Sequence, residues 1–337
     1  MAAMAEEAEL IEALRGGGLL AAGETATFRP LAGGVSSDIF RVDTQGGRTL
    51  AVKRSIPRLR VATEWLAPVE RAAGEVRWLR LVRAIDPRLA PEVLCEAPAS
   101  HIFAMRFLDP ATHPVWKDEL AEGRVDVAFA GAVGRDLVRI HAHTAGRADV
   151  AAAFLTDDCF FALRISPFLL FTADRHEDVA GRLRALAADL GRRKVALMHG
   201  DVSPKNILVG PDGPVFLDAE CTAYGDPAFD LAFCLTHLLL KTLWVRPSRE
   251  PLMTAFSALR SAYGAGVDWE PAAALERRAA ALVAALLLAR VDGKSPAPYL
   301  TDEADRALVR AVAKRLIAAD DLDLGGLAAR WREATLS

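Results

Sequence analysis

Helical spacing of apolar residues over positions 5–15 is closed by Gly16-Gly17-Gly18, and the period then changes. Residues 25–31, 38–43 and 48–54 read as three strands. Gly33-Gly34 separates the first two and Gly46-Gly47 the last two, so both turns carry glycine. Helical spacing returns over 64–84, where Val76, Leu79 and Val82 fall on one side. Val93-Leu94 and residues 101–107 suggest two more strands. The first third is therefore expected to be a small antiparallel sheet with one long helix.

The pattern shifts after Asp109. Residues 110–123 hold Pro and Trp and read as a loop or insertion. Long helices follow over 125–144 and 176–190. Two short strands around Val209 and Phe216 are joined by the turn Pro211-Asp212-Gly213. From there helices dominate, over 230–243, 251–263, 272–291 and 302–319. Strands first and helices afterwards predict an α+β chain of two lobes.

Length agrees, since 337 residues exceed what one core usually organises. The boundary is expected near residue 106, giving lobes 1–106 and 107–337. A hydrophobic share of 52% with 25% charged residues excludes a disordered chain. The net charge of −3 gives no reason to expect nucleic acid. The apolar run 279–289 is too short to span a bilayer and is bracketed by Arg278 and Arg290, so no membrane partner is expected. The first 14 residues lack the basic start and apolar centre of a signal peptide. Cys95, Cys159, Cys221 and Cys234 form no CxxC pair. A reducing cytoplasm is the expected location, and a monomer or homodimer the expected state.

The chemistry concentrates in His199-Gly200-Asp201-Val202-Ser203-Pro204-Lys205-Asn206, followed by Phe216-Leu217-Asp218-Ala219-Glu220. Phosphoryl transfer needs a carboxylate to orient the attacking hydroxyl and hard oxygen ligands for magnesium on the phosphates. Asp201 fits the first need, and Asn206 and Asp218 the second. Glu220 lies two residues beyond Asp218; it would ligate metal directly or through water, or form a salt bridge. His199 is read as a residue packed beneath the loop, hydrogen-bonded to backbone, rather than as a base. Ser203 and Lys205 flank the phosphate path.

Upstream, Gly33, Gly34, Ser36 and Ser37 lie in a turn whose backbone amides can approach phosphate oxygens. Lys53, twenty residues after Gly33, would reach the α- and β-phosphates of ATP. Glu75 is the first choice for its carboxylate partner, with Glu70 and Glu64 as alternatives. Met105 and Phe107 end the sheet, where backbone would meet the adenine edge. Arg164, Arg290 and Lys294 are substrate-side candidates; the last two equally suit a helix C-terminus as capping charges. His141 and His143 are two apart on a helix and make a poor metal pair.

The segments HGDVSPKNILV and VFLDAECTAYGDPAFDLAF resemble the aminoglycoside phosphotransferase and choline kinase-like family, which shares the protein-kinase fold. HGD stands where protein kinases carry HRD, and Ala-Glu follows the metal aspartate in place of Phe-Gly. Both departures favour a small-molecule kinase. The D-x-E pattern followed by Tyr224-Gly225 is similar to methylthioribose kinases. The resemblance implies a bilobal protein-kinase-like fold, with Asp230 bracing the catalytic loop. The expected reaction is transfer from ATP, with Mg2+, to a hydroxyl of a small molecule. A sugar-like or hydroxy-acid metabolite is favoured over an aminoglycoside-type antibiotic. A pseudokinase is disfavoured, because Lys53, Asp201, Asn206 and Asp218 are all present.

Overall fold

The computed structural model describes residues 2–31, 36–60 and 65–336. Helix α1 (Ala2–Gly16) precedes strands β1 (Ala26–Pro30), β2 (Ser37–Thr44) and β3 (Thr49–Ser55). Helix α2 (Arg71–Ile85) then leads to β4 (Val93–Ala97) and β5 (Ile102–Arg106). The five strands form one antiparallel sheet in the order β1-β2-β3-β5-β4.

Alternation of side chains along β3 and β5 sorts the two faces. Leu50, Val52, Ile102 and Ala104 pack with Leu10 and Leu14 of α1. Ala51, Phe103 and Met105 face the other way and join Val76, Leu79 and Val82 of α2. Lys53 pairs with Phe103 in register, so it shares the α2 face. The sheet's alternation thus delivers one charged side chain into an apolar layer.

The helical part begins where a loop was expected. Within 110–123 lies α3 (Trp116–Ala121), anchored by buried Trp116 and Leu120. Next comes α4 (Val127–Thr144), whose first turn is capped by the Asp126 side chain accepting from the Phe129 amide at 3.0 Å. Short helices α5 (Ala148–Ala153) and α6 (Asp157–Phe160) lead into a π-helical stretch, Phe161–Leu170, continued by α7 (Phe171–Ala173) and α8 (Glu177–Arg192). Small strand pairs follow: β6 (Ala196–Met198) with β9 (Ala223–Gly225), and β7 (Ile207–Gly210) with β8 (Gly213–Phe216). Helices α9 (Ala228–Trp244), α10 (Arg249–Gly264), α11 (Ala272–Asp292), α12 (Glu303–Ala318) and α13 (Leu324–Leu336) complete the chain.

Helix α9 is the centre of this part, lying against both α10 and α11. Sixteen consecutive residues, Ala228 to Leu243, are buried. A helix enclosed on all sides should be apolar all round, yet α9 also buries Asp230, His237 and Lys241. The layout is bilobal, but the larger core runs through both lobes: Val76 and Phe103 belong to the same apolar cluster as Phe233 and Leu286. Among the described residues no helix is long and apolar enough to cross a membrane.

Candidate active site

The catalytic loop leaves β6 and is pinned from beneath. Buried Asp230, near the start of α9, accepts from the backbone amides of His199 at 2.7 Å and Gly200 at 2.8 Å. His141 reaches the same carboxylate at 3.2 Å through Nε2. Gly200 adopts φ +79°, and a Cβ there would collide with the Cys221 carbonyl, so this turn requires glycine.

His199 spends both ring nitrogens on backbone. Nδ1 accepts from the Asp201 amide at 3.1 Å, which leaves Nε2 as the N–H that donates to the Leu217 carbonyl at 2.9 Å. Burial against Trp78, ring to ring at 4.8 Å, pulls its pKa down and keeps it neutral. A histidine so committed ties the catalytic loop to the segment carrying Asp218.

Asp201 is 3% exposed. Its carboxylate meets the Arg164 guanidinium at 2.9 Å, the Asn206 amide nitrogen at 2.8 Å and the Lys205 ammonium at 3.2 Å. Burial acts to raise its pKa, but the charges of Arg164 and Lys205 outweigh burial and the net direction is down. Asn206 is fixed by a second bond to the Asp201 carbonyl at 3.0 Å. Its own carbonyl accepts from the Leu217 amide at 2.9 Å, which brings Asn206 beside Asp218. With the amide nitrogen held by Asp201, the side-chain oxygen of Asn206 is the atom left to offer a cation.

Asp218 sits at φ +65°, a left-handed conformation uncommon for a residue with a Cβ. It forms an ion pair with Lys53, which also contacts Glu75 at 2.6 Å. Glu75, not Glu70, is therefore the partner on α2; Glu64 lies outside the described residues. Burial acts to lower the Lys53 pKa, but the carboxylates of Asp218 and Glu75 raise it further and keep the ammonium charged. Burial raises the Glu75 carboxyl against the pull of Lys53, and the net direction is up. Lys53 drives Asp218 down despite burial.

Glu220 is placed differently from the metal-facing expectation. One oxygen accepts from the Ser36 hydroxyl at 2.5 Å and the other from Arg71 Nε at 3.1 Å. Arg71, fully buried at the start of α2, was not singled out from the sequence. It also donates to the carbonyls of Pro68 at 2.7 Å and Ile56 at 2.8 Å, and to that of Ser36. A signal was there: Arg71 is four residues before Glu75 and so shares its inward face.

Gly33 and Gly34 lie outside the described residues. Ser37 is buried, its hydroxyl without a partner among the described residues. Met105 pairs with Ala51 in the sheet, and Phe107 follows β5 with the Arg41 guanidinium 5.0 Å from its ring centre. The Ser203 hydroxyl is buried and has no partner among the described residues. Arg290 lies over Phe168 at 5.7 Å, and Lys294 over Trp65 at 5.5 Å. The structure thus brings Lys53, Glu75, Asp201, Asn206 and Asp218 together, with Arg164 and Lys205 on the same carboxylate.

The chain is 27% identical over 229 residues to a methylthioribose kinase of Enterobacter sp. (strain 638), covering 60% of this chain and 57% of that protein. It is 25% identical over 268 residues to a methylthioribose kinase of Geobacillus sp. (strain WCH70), covering 70% and 65%. The chain thus spans about 57% of the length of the first of these relatives. An amicoumacin kinase solved with AMP-PNP, Ca2+ and Ami superposes with a TM-score of 0.54 at 14% identity, covering 91% of this chain and 87% of that one. That likeness is one of fold. A family model matches residues 27–275, the span that holds Lys53, Asp201, Asn206 and Asp218, and the chain therefore belongs to the phosphotransferase enzyme family.

Proposed function

We propose that the protein is an ATP-dependent kinase of a small molecule, transferring the γ-phosphoryl group to a hydroxyl. The observation that carries this reading is the convergence of Lys53, held by Glu75, with Asp218 and the Asp201–Asn206 pair. The part up to residue 106 would hold nucleotide, with Gly33, Gly34, Ser36 and Ser37 near the phosphates and the backbone at Met105 and Phe107 along the adenine edge. Residues 107–337 would hold the acceptor.

The donor set fits a magnesium ion: the Asn206 side-chain oxygen and the Asp218 carboxylate are hard oxygen ligands. When bound, the ion would neutralise charge on the phosphates. Glu220, both oxygens engaged by Ser36 and Arg71, serves better to fix the approach of α2 to the segment after Asp218.

Asp201 has little affinity for a proton at neutral pH, since Arg164 and Lys205 depress it. Its task is to accept a hydrogen bond from the acceptor hydroxyl and aim the oxygen in line. The hydroxyl oxygen forms its bond to the γ-phosphorus as the bond to the bridging oxygen breaks. ADP leaves with that electron pair, and the hydroxyl proton passes by way of Asp201 to solvent. A loose transition state asks for positioning and charge neutralisation more than for a strong base. Supply of ATP and magnesium fits a cytoplasmic location.

The test is ADP release with Mg-ATP across sugars, methylthioribose, amino alcohols, hydroxy acids and aminoglycosides, with the Asp201→Asn protein as blank. One acceptor raising release well above the blank supports the reading. Silence across the panel, with nucleotide bound in the same samples, would overturn it in favour of a pseudokinase.

A further inference from the structure

One face of α9 carries Phe233, His237 and Lys241 at successive intervals of four residues. A chain of contacts follows this face away from Asp201. Arg164, paired with Asp201, lies 5.5 Å from the Phe233 ring centre. The Phe233 ring packs at 5.3 Å on His237, whose Nδ1 meets the Tyr299 hydroxyl at 2.9 Å. Tyr299 stacks on Trp244 at 4.8 Å, and the Lys241 ammonium lies 4.4 Å from both ring centres. Arg290 comes in from α11 over Phe168, the ring that Arg164 also covers.

The charges here do not balance. Lys241 is 1% exposed, and its Nζ has no hydrogen-bond partner among the described residues. Arg290 is also buried; it donates to Ser295, while its Nε has no partner among the described residues. Neither has a carboxylate partner among the described residues. Asp201 is already shared by Arg164 and Lys205, and the half-exposed Asp118 is paired with Lys117 at 3.2 Å. Burial, then the Lys117 charge against Asp118, and Arg290, bring the Lys241 ammonium down to about 7. A buried cation with no counter-ion costs free energy in the free protein. A bound anion would offset that cost.

We propose, resting on the kinase reading, that the acceptor is an anionic hydroxyl compound, its carboxylate or phosphate held by Lys241 and Arg290 and its hydroxyl presented to Asp201. Phe233 and Lys241 are about 12 Å apart along the axis at a rise of about 1.5 Å per residue. An acceptor held this way carries its acid group at one end and its reacting hydroxyl at the other. The stacked Trp244–Tyr299 pair flanks the Lys241 ammonium, 4.4 Å from each ring centre. His237 holds Tyr299 in place and adds a neutral imidazole. A polycationic acceptor is disfavoured by the same charges.

The experiment is a thermal-shift titration of the full chain with Mg-AMP-PNP, using matched probes: gluconate and glucose 6-phosphate against glucose, glycerate against glycerol, tartrate against threitol. Parent, Lys241→Met and Lys241→Gln are compared, and ADP release is read with Mg-ATP on the same panel. At least one acid should stabilise the parent where its uncharged counterpart does not, and both variants should bind it about tenfold or more weakly. Without ligand, Lys241→Met should melt higher than the parent, because an uncompensated buried cation is gone. The site is overturned if the neutral probe binds as well as its acid, if both variants keep parental affinity, or if no acid binds. Carboxylate and phosphate arms tell which anion is taken. Acid binding without ADP release counts against the kinase reading alone. ADP release from neutral acceptors, undiminished in Lys241→Met, counts against the anion site alone.

Discussion

Asp201 is surrounded by more positive charge than a strong base would tolerate, and its replacement tests what the carboxylate does. Asp201→Asn keeps the shape and removes the charge. It is expected to lower kcat by about 10²–10⁴-fold while nucleotide affinity stays within a few-fold, measured by coupled ADP release and nucleotide titration. Parental kcat in that variant would sink the assignment. Lys53 answers a different question. It is a single buried ammonium facing two carboxylates, Glu75 and Asp218. Removing it as Lys53→Met leaves them uncompensated and should cost about 3–5 kcal/mol. Glu75→Gln in the same chain should restore part of that loss, because one buried charge goes with it. Urea melts of the parent, Lys53→Met, Glu75→Gln and the double variant settle the matter: strictly additive effects would mean that the pair is not coupled.

Helix α2 is positioned by its first residue as much as by its apolar face. Arg71 joins the Glu220 carboxylate to carbonyls at Ser36, Ile56 and Pro68, so one guanidinium gathers the start of β2, the end of β3 and the segment after Asp218. Arg71→Met should destabilise by about 3–5 kcal/mol by stranding Glu220, and Arg71→Lys should not rescue, since an ammonium lacks the planar fork. A loss under about 1 kcal/mol in urea melts would refute this bridging role. The same element shows what sequence can tell and where it stops. The sheet was legible, because glycine turns and period-two faces are local signals. The carboxylate choice among Glu64, Glu70 and Glu75 was legible through the core face marked by Val76 and Leu79. Glu220's partners were not, because Ser36 and Arg71 lie 184 and 149 residues away in the chain. Nor was α3: six residues are too few to display a period, and Trp116 and Leu120 become an anchor only once the catalytic loop packs on them. The π-helical stretch escaped because its apolar run carries Pro167, which reads as a break. That stretch places Arg164 on Asp201.

Across the whole molecule, acid stability should turn on two histidines and one carboxyl group. Burial holds His199 and His237 below the ordinary value of 6.5, for His237 with added repulsion from Arg290 and Lys241. Below that value the unfolded chain takes up protons at both positions ahead of the native chain. Stability therefore falls as pH drops from about 6.5 to about 5, by about 1.4 kcal/mol per pH unit for each proton. Glu75 works the other way. Burial raises it above its ordinary 4.5, so in this window the native state binds a proton that the unfolded chain has released. Asp201 and Asp218 are held below 3.8, and their contribution is lost only at lower pH. Lys241, lowered to about 7 from 10.5, acts above the window. The balance is at most about one net proton, and the slope at most about 1.4 kcal/mol per unit. Two variants then move the slope in opposite directions. His237→Gln should flatten it, by removing one proton from the unfolded side. Glu75→Gln should steepen it, by removing the native-side proton. Urea midpoints taken across the window read both, and parallel slopes for all three proteins would show that these buried groups do not govern the acid limb.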